Sequence, residues 1–145
     1  MIQNPKTPTA KPRTDRPTSR RMSLQKARNT SPEVDLRSEI RRLGLGYRIE
    51  LPLPGMPRRR CDIGFKSARV AVFVDGCFWH SCPVHATVPV RNREWWKEKL
   101  ATNVARDRDT DSRLTAAGWM SIRVWEHEDM AAAAQRIAEA VRARR

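Results

Sequence analysis

Residues 76–91 read Gly-Cys-Phe-Trp-His-Ser-Cys-Pro-Val-His-Ala-Thr-Val-Pro-Val-Arg and follow neither a helical nor a strand period. So irregular a stretch has little apolar surface to bury and needs an anchor other than packing. Cys77, Cys82 and His85 place three soft or borderline ligands within nine residues, a set suited to tetrahedral Zn2+. The fourth ligand is not local. His127 is the best candidate, with Cys61 and His80 as alternatives, and ordinary buried cysteines beside a surface histidine are the bland explanation. The chain has three cysteines, an odd number that argues against a disulfide framework and fits a reducing compartment.

The elements on either side are more regular. Thr30-Ser31-Pro32-Glu33 has the pattern of a capped helix start, and Leu36, Ile40 and Leu43 follow at helical spacing. Gly44 and Gly46 end that helix. Tyr47–Leu51 can form a strand. Pro52–Pro57 reads as a loop that Arg58-Arg59-Arg60 continues as a basic patch. Cys61–Phe65 and Arg69–Asp75 are two short strands, close enough in sequence to pair antiparallel. Residues from Asn92 to about Leu114 form a long polar helix with Trp96, Leu100 and Val104 on one side. Trp119–Trp125 alternates as a strand, and Ala131–Val141 is a closing helix. This order implies an α/β fold, a mixed sheet flanked by helices.

Length and charge narrow the partners. The chain has 145 residues, sufficient for one domain, and a net charge of +13. Residues 1–30 contain eight basic residues and one acid, so more than half of the excess lies in a fifth of the chain. Residues 1–21 combine this charge with four prolines and almost nothing apolar, the composition of a disordered basic arm, which leaves 22–145 as the folded domain. No apolar run is long enough to cross a bilayer, and no apolar segment near the N-terminus argues for a secretory signal. A polyanion is the expected partner.

Two sets of residues could carry chemistry. Asp62 begins one short strand and Asp75 ends the next, so antiparallel pairing brings their carboxylates to one edge. Adjacent hard oxygens suit Mg2+, although solvated strand-end aspartates are common. His80 could move a proton near neutral pH. Glu33 shares a helix face with Leu36 and Ile40, where capping is its simplest task. Phe78 and Trp79 in the irregular loop, with Trp95 and Trp96 opening the basic helix, are either core plugs or flat side chains able to enter a base step.

Taken together, these residues resemble the very short patch repair (Vsr) endonucleases. The similarity rests on Met22 with Arg28–Glu33, Leu53-Pro54-Gly55, Asp62-Ile63-Gly64-Phe65 and Val72–Pro83. It continues through Trp96, Lys99, Asn103, Arg106-Asp107, Gly118-Trp119 and Trp125-Glu126. The resemblance implies a restriction-endonuclease-like fold with a zinc-stabilised loop, and nicking of one strand of duplex DNA beside a T:G mismatch. It implies Mg2+ held by Asp62 and the backbone carbonyl of Val74, with His80 handling the water proton, supported by Glu33. It also implies Zn2+ on Cys77, Cys82, His85 and His127, and DNA contacts from Phe78, Trp79, Trp96 and, from the opposite groove, Met22. Mismatch-repair proteins are possible partners, a monomer suffices for cutting one strand, and the compartment is the cytoplasm, on the nucleoid when acting on DNA.

Three departures stand out. Arg58–Cys61 separates Pro57 from Asp62, where the family pattern has proline directly before aspartate. His127 stands where the best-known members have cysteine. Asp75 stands where some have histidine, which leaves its role open. Rival expectations are a sequence-specific or restriction-linked nickase of the same fold, a zinc-containing DNA-binding module without activity, and, more remotely, an RNA-binding scaffold.

Overall fold

The computed structural model describes residues 31–77, 79–82 and 88–145. The expected arm over 1–21, Met22, the cap at Thr30, Phe78 and His85 lie outside the described residues.

The elements are α1 (Ser31–Arg42), β1 (Arg48–Leu53), β2 (Met56–Phe65), β3 (Val70–Asp75), α2 (Arg93–Ala116), β4 (Met120–Trp125) and α3 (Met130–Arg144). The sheet order is β1-β2-β3-β4. β2 pairs antiparallel with both β1 and β3, and β3 and β4 run parallel, joined through α2. This is a mixed α/β sheet, compatible with the restriction-endonuclease-like architecture.

Each face of the sheet has its own apolar layer. Leu36 and Ile40 of α1 and Ala134, Ile137 and Val141 of α3 pack on Ile63, Phe65, Val70, Val72 and Val124. The opposite face holds Cys61, Ala71 and Phe73 against Leu114 of α2, with Leu53 and Met56. α2 ends where the N–H of Trp119 bonds the carbonyl of Leu114 (2.9 Å) and that of Gly118 bonds Thr115 (3.1 Å). Gly118 has φ +81°, so this is a Schellman ending, and it seats Trp119 in the same layer as Leu114. The register of β4 against α2 follows from that stop.

One expectation needs correction. Pro52–Pro57 was to be a loop continued by Arg58–Arg60, yet β1 runs through Pro52 to Leu53 and β2 begins at Met56. Only Pro54 and Gly55 turn the chain. Pro52 is tolerated because β1 is an edge strand, where a missing N–H removes no ladder bond, and Gly55 at φ +69° supplies the turn. The pairing shifts register between Pro52 and Leu53, which absorbs the rest. Arg58–Arg60 therefore lie on a two-stranded ribbon, because β2 pairs with β3 only from Ile63 to Phe65.

Gly64 is held to glycine by packing. A Cβ there would come within 2.5 Å of Leu51 Cδ2 and 2.9 Å of Leu51 Cβ. Gly64→Ala is expected to destabilise the fold by about 1–3 kcal/mol in urea unfolding. An unchanged midpoint would show that β1 can yield there.

Candidate active site and metal-binding loop

Strand β2 changes face at Asp62. Cys61 packs with the α2 layer, whereas Ile63, two residues on, packs in the opposite layer. Glu50, level with Asp62 on β1, has φ +50°, a left-handed value costly for a residue other than glycine. The slip turns the Asp62 carboxylate along the sheet, where its Oδ2 accepts the Val74 N–H at 2.7 Å. Asp62 Oδ1 carries no hydrogen bond among the described residues. Burial raises the pKa of Asp62; the Val74 bond opposes this, the charge of Asp75 adds to it, and the net direction is up.

Asp75 ends β3 and is only 3% exposed. Both its oxygens accept from Arg123 Nη1 at 3.1 Å. Arg123 stands level with Phe73 on β4, and its guanidinium lies 4.3 Å from the Phe73 ring centre. It also bonds Asp111 through Nε and Nη2 at 2.8–3.1 Å and the Asp107 carbonyl at 3.3 Å. Burial works against the charge of Arg123, but Asp111, Asp75 and Asp107 hold its pKa above the ordinary arginine value. Burial pushes Asp75 up, against the pull of His80 and Arg123.

His80 lies in a turn where its N–H bonds the Gly76 carbonyl at 3.1 Å. Its Nδ1 is 2.5 Å from Asp107 Oδ2 and 3.8 Å from Asp75 Oδ1. An ionised carboxylate only accepts, so Nδ1 carries the proton and Nε2 is left as the basic nitrogen. Burial lowers the pKa of His80, but the Asp107 bond and the charges of Asp75 and Asp107 outweigh it and raise the value. The structure thus brings together Asp62, Asp75 and His80. Glu33 occupies the first turn of α1 and is half-buried.

Sequence reasoning missed the tasks of Asp107, Asp111 and Arg123. One signal was present. Asn103, Asp107 and Asp111 recur every four residues on α2, between the buried Trp96 and Leu100 at one end and Leu114 at the other. Polar residues on a helix's inward stripe face a polar site. Asn103 Nδ2 also donates to the Trp79 carbonyl at 3.2 Å, tying α2 to the loop.

The soft-ligand loop begins two residues after Asp75. His127 Nδ1 is 3.2 Å from Cys77 Sγ and 3.8 Å from Cys82 Sγ, and neither thiol is in a disulfide. A tetrahedral ion with bonds of about 2.3 Å to sulfur and about 2.0 Å to nitrogen sets those atoms about 3.5 Å apart, so the residues present fit such an ion. Burial, then Cys82 and Glu126, push the Cys77 thiol up to about 12, an obstacle that a bound cation removes. The other candidates for this set lie elsewhere. Cys61 is buried with its Sγ 3.6 Å from the Leu51 carbonyl, and His80 is held by Asp107.

Trp79 and Trp96, expected at DNA, form part of a separate apolar cluster in this DNA-free chain. They are 8% and 1% exposed and pack with Leu100 and Trp95. Their ring centres are 5.9 Å apart at 60°, and Trp95 stands edge-on to Trp96 at 4.7 Å. Without DNA they are core plugs, because their apolar area has no other shelter. Entry into a base step requires the cluster to open.

A model of the DNA mismatch endonuclease Vsr family matches residues 13–85. The type II nicking enzyme V.NaeI of Lentzea aerocolonigenes is 46% identical over 114 residues, 77% of this chain and 69% of that protein. The type II nicking enzyme V.XorIIP of Xanthomonas oryzae is 38% identical, covering 79% and 86%. The DNA mismatch endonuclease Vsr of Escherichia coli is 37% identical, covering 74% and 68%. With a family match over half its length, and relatives of this identity and coverage, the chain belongs to the Vsr family of DNA endonucleases.

Proposed function

We propose that this enzyme nicks one strand of duplex DNA beside a T:G mismatch, in repair of deaminated 5-methylcytosine. The carrying observation is the His80–Asp107 pair set beside the Asp62 carboxylate at one edge of the sheet. The Asp62 carboxylate and the Val74 carbonyl would hold Mg2+. When bound, that ion supplies the positive charge that a phosphodiester needs as its pentacovalent state builds. His80 Nε2 takes the proton of the attacking water, and Asp107 keeps the ring in the tautomer that leaves Nε2 basic. Glu33 supports His80 in this step. Asp75 balances Arg123 and adds negative charge beside His80.

Zn2+ fits Cys77, Cys82 and His127, with His85 as the fourth ligand. Its task is structural, since the described residues of the loop that presents His80 lie in neither helix nor strand. Phe78, Trp79 and Trp96 would enter the stack from one groove and Met22 from the other, after the tryptophan cluster opens. Mismatch-repair proteins would act on the nicked product. A monomer suffices, and the cytoplasmic nucleoid is the natural location; no helix among the described residues is long and apolar enough to cross a membrane.

The names of V.NaeI and V.XorIIP favour a second reading, a nickase linked to restriction. Strand-resolved cleavage of T:G and T:A duplexes in the same sequence context separates the two. With Mg2+, one strand of the T:G duplex is expected to be cut and the T:A duplex spared, and EDTA is expected to stop the reaction. Asp62→Ala is expected to lower nicking by about 10³-fold or more while duplex binding by anisotropy persists. Equal cutting of T:A, or a fully active Asp62→Ala, would refute the respective assignments.

Metal analysis of the purified protein is expected to find one zinc per chain. His127→Ala removes a ligand and is expected to lower both zinc content and melting temperature. A zinc-free protein of unchanged melting temperature would remove the ion from the account.

The β1–β2 ribbon is the surface best placed to meet DNA beside the cut. Arg58 and Arg60 are exposed, four and two residues before Asp62, with Arg60 braced on the Glu50 carbonyl at 3.1 Å. Arg59 is committed inward to Asp109 at 2.7 Å and Thr110 at 3.0 Å. Replacing both Arg58 and Arg60 by Gln is expected to flatten the dependence of log Kd on log salt by about 1–2, without changing which duplex is preferred. An unchanged slope would place the ribbon off the DNA.

A further inference from the structure

Arg123 has no task in the chemistry outlined above, yet it makes more polar contacts than any side chain near it. Its guanidinium meets both oxygens of Asp75, the carbonyl of Asp107 and both oxygens of Asp111, and lies 3.6 Å from Asp107 Oδ1. Asp111 is steadied in turn by Ser121 Oγ at 2.9 Å. Asp75 and Asp107 are the two carboxylates that approach His80 Nδ1, at 3.8 and 2.5 Å.

We infer that Arg123 is a positioning residue for His80: it fixes Asp75 on β3 and Asp107 on α2 relative to each other, and through them the orientation of the imidazole. The inference rests on the proposed role of His80 as proton acceptor. Three carboxylates so close repel one another, and without the cation between them Asp75 and Asp107 would separate. A guanidinium is suited to the place because its planar fork addresses Asp75 with one edge and Asp111 with another, while its face lies on Phe73. An ammonium carries the same charge but cannot span these partners. Seated between α2 and the sheet, Arg123 makes the distance between those two elements a property of the active site.

Arg123→Lys keeps the charge and loses the fork, and is the principal test. It is expected to lower kcat for nicking by about 10-fold or more, with KM for the duplex and the melting temperature little changed. In Arg123→Ala, millimolar guanidinium is expected to restore several-fold activity, and ammonium to restore none. Asp111→Asn, which alters neither His80 nor its two carboxylates, is expected to lower kcat by a smaller factor and serves if Arg123→Ala does not fold. The His80 Nδ1 proton, followed by NMR in the DNA-free protein, is expected as a downfield signal that weakens in Arg123→Lys. Full kcat in Arg123→Lys, or losses that follow the folded fraction and ignore guanidinium, would overturn the inference. So would an NMR signal unchanged in the variants. If no duplex is cut by the parent protein but the NMR signal depends on Arg123, the nuclease reading fails and the positioning role stands.

Discussion

Four carboxylates, those of Asp62, Asp75, Asp107 and Asp111, crowd one end of the sheet, Asp75 buried and the other three partly buried, and the fold must make their removal from water tolerable. A buried charge is costly unless partnered. The partners come from different elements: an amide of β3 for Asp62, Arg123 of β4 for Asp75 and Asp111, and His80 of the turn for Asp107. Each bond crosses between elements, so the site cannot assemble until β3, β4 and α2 are docked. The parallel β3–β4 pair sets Arg123 two residues before the position level with Asp75, on the same face and close enough for both carboxylate oxygens. Charge balance and topology are here the same constraint.

The soft-ligand set and the acid cluster share this scaffold. β3 delivers Asp75 and, two residues on, Cys77; β4 delivers Arg123 and, four residues on, His127. Between them the Asp75 carbonyl accepts the Glu126 N–H at 3.0 Å, and Glu126 Oε1 accepts the Cys77 N–H at 3.1 Å. An ion clasped by Cys77, Cys82 and His127 would therefore tie the two strand ends just beyond Asp75. His80 lies inside the same turn, between the two thiols in sequence. Cys77, Cys82 and His127 thus form one group of possible ligands, rich in sulfur, and Asp75, His80 and Asp107 another, rich in oxygen, on the same two strand ends.

Much of this was legible in the chain, and the exceptions have physical causes. Periodicity located α1, α2, β4 and α3, because each buries one face. The antiparallel pairing of β2 with β3 followed from their short connection, and the Cys77, Cys82 and His127 grouping from ligand chemistry. Arg58–Arg60 misled because proline content argued against a strand, whereas an edge strand and a two-residue turn tolerate Pro52 and Pro54. The slip at Asp62 left no pattern, since it depends on the backbone of Glu50 across the ladder. Arg123 and Asp107 read as ordinary charges on a strand and a helix, because their partners lie twelve or more residues away and only the tertiary fold supplies them.

The tryptophan cluster bears on selectivity. Burying a large apolar side chain is worth about 1.5–3 kcal/mol, so exposing Trp79 and Trp96 to a duplex costs several kcal/mol before any contact with bases is gained. Opening a base step costs a few kcal/mol more, and least where the pair is already mismatched. If the indoles are the wedge, the two costs arise together, and a matched duplex must offset both in full. The cluster then works as a threshold rather than as a source of affinity: it weakens binding everywhere and leaves the largest share of productive complexes at the step that opens most easily. Asn103 joins the two ends of this device to the chemistry, since it holds the Trp79 carbonyl from the helix that also presents Asp107 to His80. Were Trp79 to move toward DNA, this bond would carry the movement to the turn that holds His80, and so would couple recognition of the distorted step to the site.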